Sequence, residues 1–337
     1  MSTPEAIVAF LQENGSSGSR ALCEHLGISR QALNVHLNRL IDAGRVVRTG
    51  ATRNTRYALP TQFPQPEPFG GEFDTKGLDE DRLYRRVGLS LNLAHSMKPN
   101  AERVFRYVFT EMLNNAIEHS ASGKVRISAG LEGGWVRARV TDNGIGVFAS
   151  IARKLGYPDE HDALLQLVKG KTTTLPEAHS GEGIFFSSKA ANTLVLRSHR
   201  IQVEWSHRLK DVFVSNRRYV KGTHVHMDVR RDSRTRLEDL FEAFAPAEFD
   251  YEFSRSRVQV KLLGEEYISR SEARRLLVNL ERFKLVELDF RSVNSVGQGF
   301  ADEVFRVFAS HHPDIVIRPV NASPAVTAML RHAGAPI

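Results

Sequence analysis

Three short segments carry residue types that could build one chemical site. In the first, Glu111, Asn115 and His119 recur at i, i+4 and i+8 within Val104–Ser120. On a helix that spacing aligns a carboxylate, an amide and an imidazole on one stripe. Val104, Val108 and Met112 form a neighbouring apolar stripe, so the helix suits a site wall. In the second, the alternating run Val136–Val140 ends in Asp142-Asn143-Gly144-Ile145-Gly146, an acidic, glycine-rich turn after a strand. In the third, Gly181-Glu182-Gly183 opens a helical run that continues to Lys189. Each alone also fits a bland alternative, a solvated helix face or a plain turn. Their order and spacing are far more specific.

That order resembles the GHKL superfamily of gyrase, heat-shock chaperone, histidine kinase and mismatch-repair ATPases. Glu111–Asn115 is similar to its N box, Asp142–Gly146 to its first glycine box and Gly181–Gly183 to its second. Gly222-Thr223 is similar to the segment that sets a threonine beside adenine. The N box with Asn115-Ala116-Ile117-Glu118-His119 is closest to that of the anti-sigma-factor kinases. The resemblance covers about residues 78–245 and implies ATP and Mg2+ as ligands, with His119 among the ATP-binding residues. It implies that Asp142 accepts the adenine amino proton and that Asn115 offers its amide oxygen to Mg2+, a hard, oxygen-seeking cation. Gly144 and Gly146 would let the backbone approach the nucleotide. Gly181 and Gly183 would present N–H groups to phosphate, and Glu111 would orient or deprotonate the attacking water or hydroxyl. Residues 147–180 would form a lid in which Lys169, Lys171 and Thr172–Thr174 sense the γ-phosphate. One departure stands out: after Gly183 the chain runs Ile184-Phe185-Phe186 instead of the family's leucine pattern. His95-Ser96 is too near Asn115 to belong to the dimerising helical hairpin of a sensor kinase.

These segments need a scaffold, and the chain divides accordingly. Length predicts two to three domains. The stretch Pro60 to Gly71 holds four prolines and a glycine pair and reads as a semi-rigid linker, 61–77. A softer break falls near Ala245-Pro246-Ala247, before strand-like Val258–Leu263.

Before the linker, Ser19 reads as the cap of a helix over Arg20–Leu26, and Gly27 supplies the turn. Ser29 caps a second helix with Leu33, Leu37, Leu40 and Ile41 on one face. Two short strands, Val46–Arg48 and Arg56–Leu59, follow. The block resembles bacterial winged helix-turn-helix regulators. The resemblance implies Arg30, Gln31 and Asn34 facing bases in the major groove, with Arg48, Arg53 and Arg56 of the wing meeting phosphate. Seven arginines stand against four carboxylates in this block.

After the second break, Leu285–Asp289 is a buried strand, a helix runs from Phe300 through Phe308, Ile315–Arg318 is the next strand, and Ser323-Pro324 starts the last helix. The segment resembles the divergent STAS-like domain found beside GHKL ATPases, related to anti-sigma-factor antagonists. Gly297-Gln298-Gly299 occupies the turn where antagonists carry a phosphorylated hydroxyl, with Ser292 and Ser295 off register. A docking or dimerisation module is the favoured expectation.

The composition, 41% apolar and 25% charged, is that of a soluble globular protein. A single cysteine, Cys23, excludes an intramolecular disulfide and a cysteine-built zinc site. No run approaches a membrane span, and Met1–Glu5 lacks a secretory leader's pattern, so the expectation is a cytoplasmic protein. The net charge of +7 permits a nucleic-acid partner without establishing one. The expected architecture is a multidomain α/β chain. It runs from a winged helix-turn-helix DNA-binding domain (1–60) through the linker and a GHKL α/β sandwich of the Bergerat type (78–245) to a small STAS-like α/β domain (246–337). The expected function is an ATP-binding transcriptional regulator in which ATP and Mg2+ gate the winged helix on DNA. Two alternatives are an anti-sigma-type protein serine/threonine kinase acting on a STAS partner, and an ATP-clamped interaction protein in stress or phage defence. Enzymatic turnover, a protein partner of the STAS-like domain and a homodimer stay open at this stage.

Overall fold

The computed structural model describes residues 2–43, 45–49, 55–59, 62, 66–170, 182–247, 253–263, 267 and 269–336. Arg53, Lys171, Thr172 and Gly181 lie outside them.

The first unit runs α1 (Thr3–Asn14), β1 (Ser17–Gly18), α2 (Ser19–Leu26), α3 (Arg30–Asp42), β2 (Val47–Thr49) and β3 (Arg56–Ala58). Ser2 and Glu5 close a capping box on α1, Gly27 ends α2 at φ 63°, and the Ser29 hydroxyl accepts from Ala32 N to start α3. Ile7, Leu11, Leu22, Leu33, Leu37 and Tyr57 form its core. The α2 boundary differs from expectation. Ser19 is already helical and Gly18 is the cap, because Ser17-Gly18 pairs with β3 in a three-stranded sheet of order β1-β3-β2. Backbone pairing over two residues leaves no periodicity to read.

The central unit comprises β4 (Phe69–Asp74), α4 (Glu80–Ser90), α5 (Leu93–Ser96), α6 (Pro99–His119), β5 (Lys124–Glu132), β6 (Trp135–Asp142), α7 (Val147–Leu155), α8 (Glu160–Lys169), α9 (Gly183–Ala190), β7 (Thr193–Ser206), β8 (Asp211–Arg230) and α10 (Leu237–Phe244). The sheet is antiparallel throughout, in the order β4-β5-β6-β8-β7. Val125, Ile127, Val136, Ala138 and Val140 alternate with polar neighbours and face Val104, Phe105, Val108, Phe109 and Met112 of α6. The linker expectation for 61–77 fails at its second half. Residues 69–74 form edge strand β4, paired along its length with β5. Gly70 and Gly71 are tolerated there, flanked by Phe69 and Phe73, whose rings lie parallel under Arg86.

The last unit has a parallel sheet of order β11-β10-β9, from β9 (Arg255–Gln259), β10 (Leu285–Asp289) and β11 (Val316–Val320). Around it lie α11 (Arg270–Leu277), α12 (Gln298–Asp302), α13 (Ala309–His311) and α14 (Pro324–His332). A π-helical stretch, Glu303–Phe308, joins α12 to α13. The strand read at Val258–Leu263 sits earlier, at Arg255–Gln259. Val260–Leu263 instead forms a 3-10 turn.

The central and last units share a core. Phe185 and Phe186 of α9 and Phe244 of α10 pack on Phe253, with ring centroids 4.6, 5.2 and 6.5 Å from it, and Phe253 reaches Phe283 at 5.4 Å. Polar bonds reinforce the junction. Arg275 pairs with Asp162 at 2.6 Å, Lys261 with Asp211 at 2.7 Å, and Asn279 donates to the Tyr157 hydroxyl at 2.7 Å. Wing strand β2 lies against α5. Among the described residues no helix is long and apolar enough to cross a membrane.

Candidate nucleotide site

Helix α6 starts at Pro99, whose missing N–H costs nothing at the first helical position. Its buried face fixes its rotation on the sheet. The stripe beside it, Glu111, Asn115 and His119, borders that face and opens on a cavity of about 590 Å³. The Asn115 side-chain N–H donates to the Glu111 carbonyl at 2.9 Å, which orients the amide.

Asp142 ends β6 and is 4% exposed. One carboxylate oxygen accepts from Gly144 N at 2.8 Å and Thr223 N at 3.2 Å. Burial raises its pKa above the ordinary 3.8, and the two N–H bonds oppose that rise. The turn around it tolerates no side chain. A Cβ on Gly144 would sit 1.8 Å from the Ser120 carbonyl oxygen, and one on Gly222, at φ +73°, would sit 2.2 Å from the Asp142 carbonyl oxygen. Gly146 lies at φ +82°, where a Cβ would meet Ser198 Oγ at 2.5 Å. The Thr223 hydroxyl accepts from Val147 N at 3.0 Å, so this threonine bridges β8 to the start of α7. Gly183 opens α9 against Glu111. A Cβ there would meet the carboxylate at 2.0 Å.

The cavity thus brings together Glu111, Asn115, His119, Asp142, Thr223 and Gly183. Gly144 and Gly146 do not line it; they lie against Ser120 and Ser198, in the turn that follows Asp142. Lys169 is not part of it. The lysine ends α8 at 1% exposure, and its ammonium donates to the Val278 carbonyl at 2.8 Å and toward the Arg275 carbonyl at 3.4 Å. The expectation of a phosphate-sensing Lys169 is corrected on this point: carbonyls of the last unit hold its amine. Burial depresses its pKa to about 7.

Sequence reasoning missed one wall. Phe241, Glu242 and Ala245 of α10 and its exit line the cavity, as do Tyr107 and Phe186. The apolar spacing of Leu237, Leu240, Phe241 and Phe244 was visible, but it marked only a domain end. The departure at Phe185-Phe186 was the signal that something other than a standard lid packs there.

The residues present fit a nucleotide. The cavity lies within the size range of small-ligand sites, the buried Asp142 carboxylate and Gly183 line it, and Asn115 and Glu111 supply oxygen atoms. Among the described residues no group of three His, Cys, Asp or Glu side chains could hold a metal alone. Mg2+ here would depend on phosphate oxygens, as this ion commonly does.

In the first unit, Arg30, Gln31, Asn34 and Arg48 are exposed, with Arg30 and Asn34 on one stripe of α3. Arg56 is exposed as well, but its guanidinium donates to the Ser16 carbonyl at 2.8 Å.

Comparison with family models gives three matches. Residues 3–47 match a winged helix-turn-helix DNA-binding model. Residues 100–233 match the histidine kinase-, DNA gyrase B-, and HSP90-like ATPases. Residues 272–327 match a STAS-like domain of unknown function. No curated protein matches the chain. The chain therefore carries, in order, a winged helix-turn-helix, a GHKL-type ATPase domain and a STAS-like domain. This combination fits an ATP-binding, DNA-binding regulator.

Proposed function

We propose that the chain is a DNA-binding regulator whose winged helix is gated by ATP and Mg2+. In this reading Asp142 receives the adenine amino group, Asn115 offers its amide oxygen to the metal, and the N–H groups at the start of α9 face the phosphates. The bound metal would neutralise phosphate charge. Glu111, touching Gly183, orients a water or hydroxyl near the terminal phosphate. Arg30, Gln31 and Asn34 read bases, while Arg48, Arg53 and Arg56 lie along the backbone.

One observation carries the gating. Phe186 and Phe241 line the cavity and also belong to the aromatic core shared with the STAS-like domain. A ligand that moves these two rings would therefore change how the two domains meet. The wing touches the same ATPase unit through α5. A ligand shifts such an equilibrium only by its difference in affinity for the two states. DNA affinity measured without nucleotide, with ADP and with a non-hydrolysable ATP analogue tests this. The expected difference is about 5- to 150-fold, the ordinary range of site–site coupling. Identical affinities in the three conditions overturn the gating.

A further inference from the structure

The β7–β8 hairpin departs from regular pairing midway. His199 pairs with Val220 and Ile201 with Asn216, so Arg217, Arg218 and Tyr219 face only Arg200 across the ladder. Such a bulge re-aims side chains out of the sheet plane. Several contacts pin it. The His199 ring lies at φ 51° in its backbone, stacks on Tyr219 at 5.2 Å and 18°, and bonds Glu160 at 2.7 Å. The Arg197 guanidinium donates to the Arg218 carbonyl, and Ser198 Oγ donates to the Gly222 carbonyl at 3.0 Å.

Arg200, Arg217, Arg218 and Lys221 are exposed on this bulge, and among the described residues none is ion-paired. Tyr219, 52% exposed, lies among them. From residue 195 to 221 the hairpin holds seven Lys or Arg against two carboxylates, and one of those, Asp211, is already bound by Lys261. Like charges on a pinned bulge repel one another, and a polyanion removes that cost. Guanidinium forks match phosphate oxygens, and the exposed Leu209, Phe213 and Val214 of the hairpin lie outside the bulge itself.

We infer that this bulge is a second nucleic-acid contact, a clamp for the phosphate backbone of duplex DNA on the ATPase domain itself. The placement suits one duplex. Arg231 at the end of β8 bonds the Ser96 carbonyl of α5, which meets the wing. Tyr219 stands twelve residues back, an extended length of at most about 40 Å at ~3.3 Å per residue, of the same order as the ~34 Å of one DNA turn. The bulge also reaches the glycine turn after Asp142, since His199 and Ser198 pack on Gly146. The DNA partner, though not the basic surface, rests on the regulator reading above.

The test measures the salt dependence of full-chain binding to a mixed-sequence duplex by fluorescence anisotropy. Four proteins are compared: wild type, Arg217→Ala/Arg218→Ala, Arg30→Ala/Asn34→Ala, and the combination. Loss of two phosphate contacts lowers the slope of log K against log salt by about 1.8. That drop in the bulge variant, with adenine-nucleotide binding intact, is the expected result. An unchanged slope there, with weakened binding in the α3 variant, overturns the clamp and leaves the winged-helix reading standing. A drop in the bulge variant with none in the α3 variant supports the clamp, since Arg30 and Asn34 are assigned to base edges, which do not set the slope. No binding by wild type removes both. Loss of capture by phosphatidylserine vesicles without a change in the DNA slope also overturns the clamp.

Discussion

Asp142 shows how a residue proposed to hold a ligand can burden the fold that carries it. Its carboxylate is buried, so the folded state favours the protonated form relative to the unfolded chain. For an acid with a raised folded pKa, stability falls as pH rises from 3.8 through the folded value, and above that value the cost is complete. Asp142→Asn removes that charge yet keeps an acceptor for Gly144 N and Thr223 N. The expected outcome is a melting temperature unchanged or higher, with adenine-nucleotide affinity about tenfold weaker, since a bond to a charged acceptor contributes ~1.5–3 kcal/mol. Calorimetric titration and thermal melts measure the two separately, and a variant that loses both would contradict the assignment. The glycines divide by what they touch. Gly144→Ala drives a Cβ into the Ser120 backbone carbonyl, which cannot swing away, and is expected to cost about 3 kcal/mol, the upper end of overpacking. Gly183→Ala meets only the end of the Glu111 side chain. Denaturant melts are expected to show it well below the Gly144 variant in cost. They should also show that the remaining cost vanishes in a Glu111→Ala background. An additive double-mutant cycle would show that Glu111 is not the obstacle.

At the scale of elements, α8 has been taken over by its neighbour. Lys169 ends the helix and donates to carbonyls at the exit of α11, while Ser256 Oγ of β9 donates to the Lys169 carbonyl at 2.7 Å. A lysine with a folded pKa of about 7 against an ordinary 10.5 is held less tightly protonated when folded. Its burial penalty is then complete below about pH 7 and relieved as pH rises toward 10.5. The stability of wild type minus that of Lys169→Met is therefore expected to rise between about pH 7 and pH 9.5. A flat difference in denaturant melts across that range would show an amine that does not titrate there. This lysine also shows why part of the site was illegible. Its charge and its place before the second glycine box pointed to phosphate, but the carbonyls that hold its amine lie more than a hundred positions later, and no local pattern encodes them. The Glu111–Asn115–His119 stripe was legible because helical spacing alone puts the three on one face. Asp142 was legible because a strand ending in an acidic glycine turn is a local pattern. Strand β4 was missed because its pairing partner β5 is fifty residues away and the prolines before it dominate the text.

The molecule as a whole is organised around the aromatic seam between the ATPase and STAS-like domains. Phe185 is 2% exposed and sits between Phe244, at 5.0 Å, and Phe253, at 4.6 Å, with Lys189 over its ring. The departure from a leucine pattern after Gly183 thus has a structural reason: large flat side chains reach across to a second domain. Interfaces within a chain that are small and polar let domains move freely. This one is apolar and continuous with both cores, so the two domains should unfold together. Phe185→Ala removes the centre of the seam, and large-to-small changes of this kind cost about 3–5 kcal/mol. Because Phe185 is absent from the cavity wall while its neighbour Phe186 is part of it, the variant separates transmission from binding. Scanning calorimetry is expected to resolve one transition for wild type and two for the variant. Nucleotide should still raise the first of these but no longer the second. Its effect on DNA affinity should shrink in step if the seam carries the signal. A variant that keeps a single transition, with both domains still stabilised by nucleotide, would place the coupling elsewhere, in the polar bonds of Lys169, Arg275 and Lys261 that flank the seam.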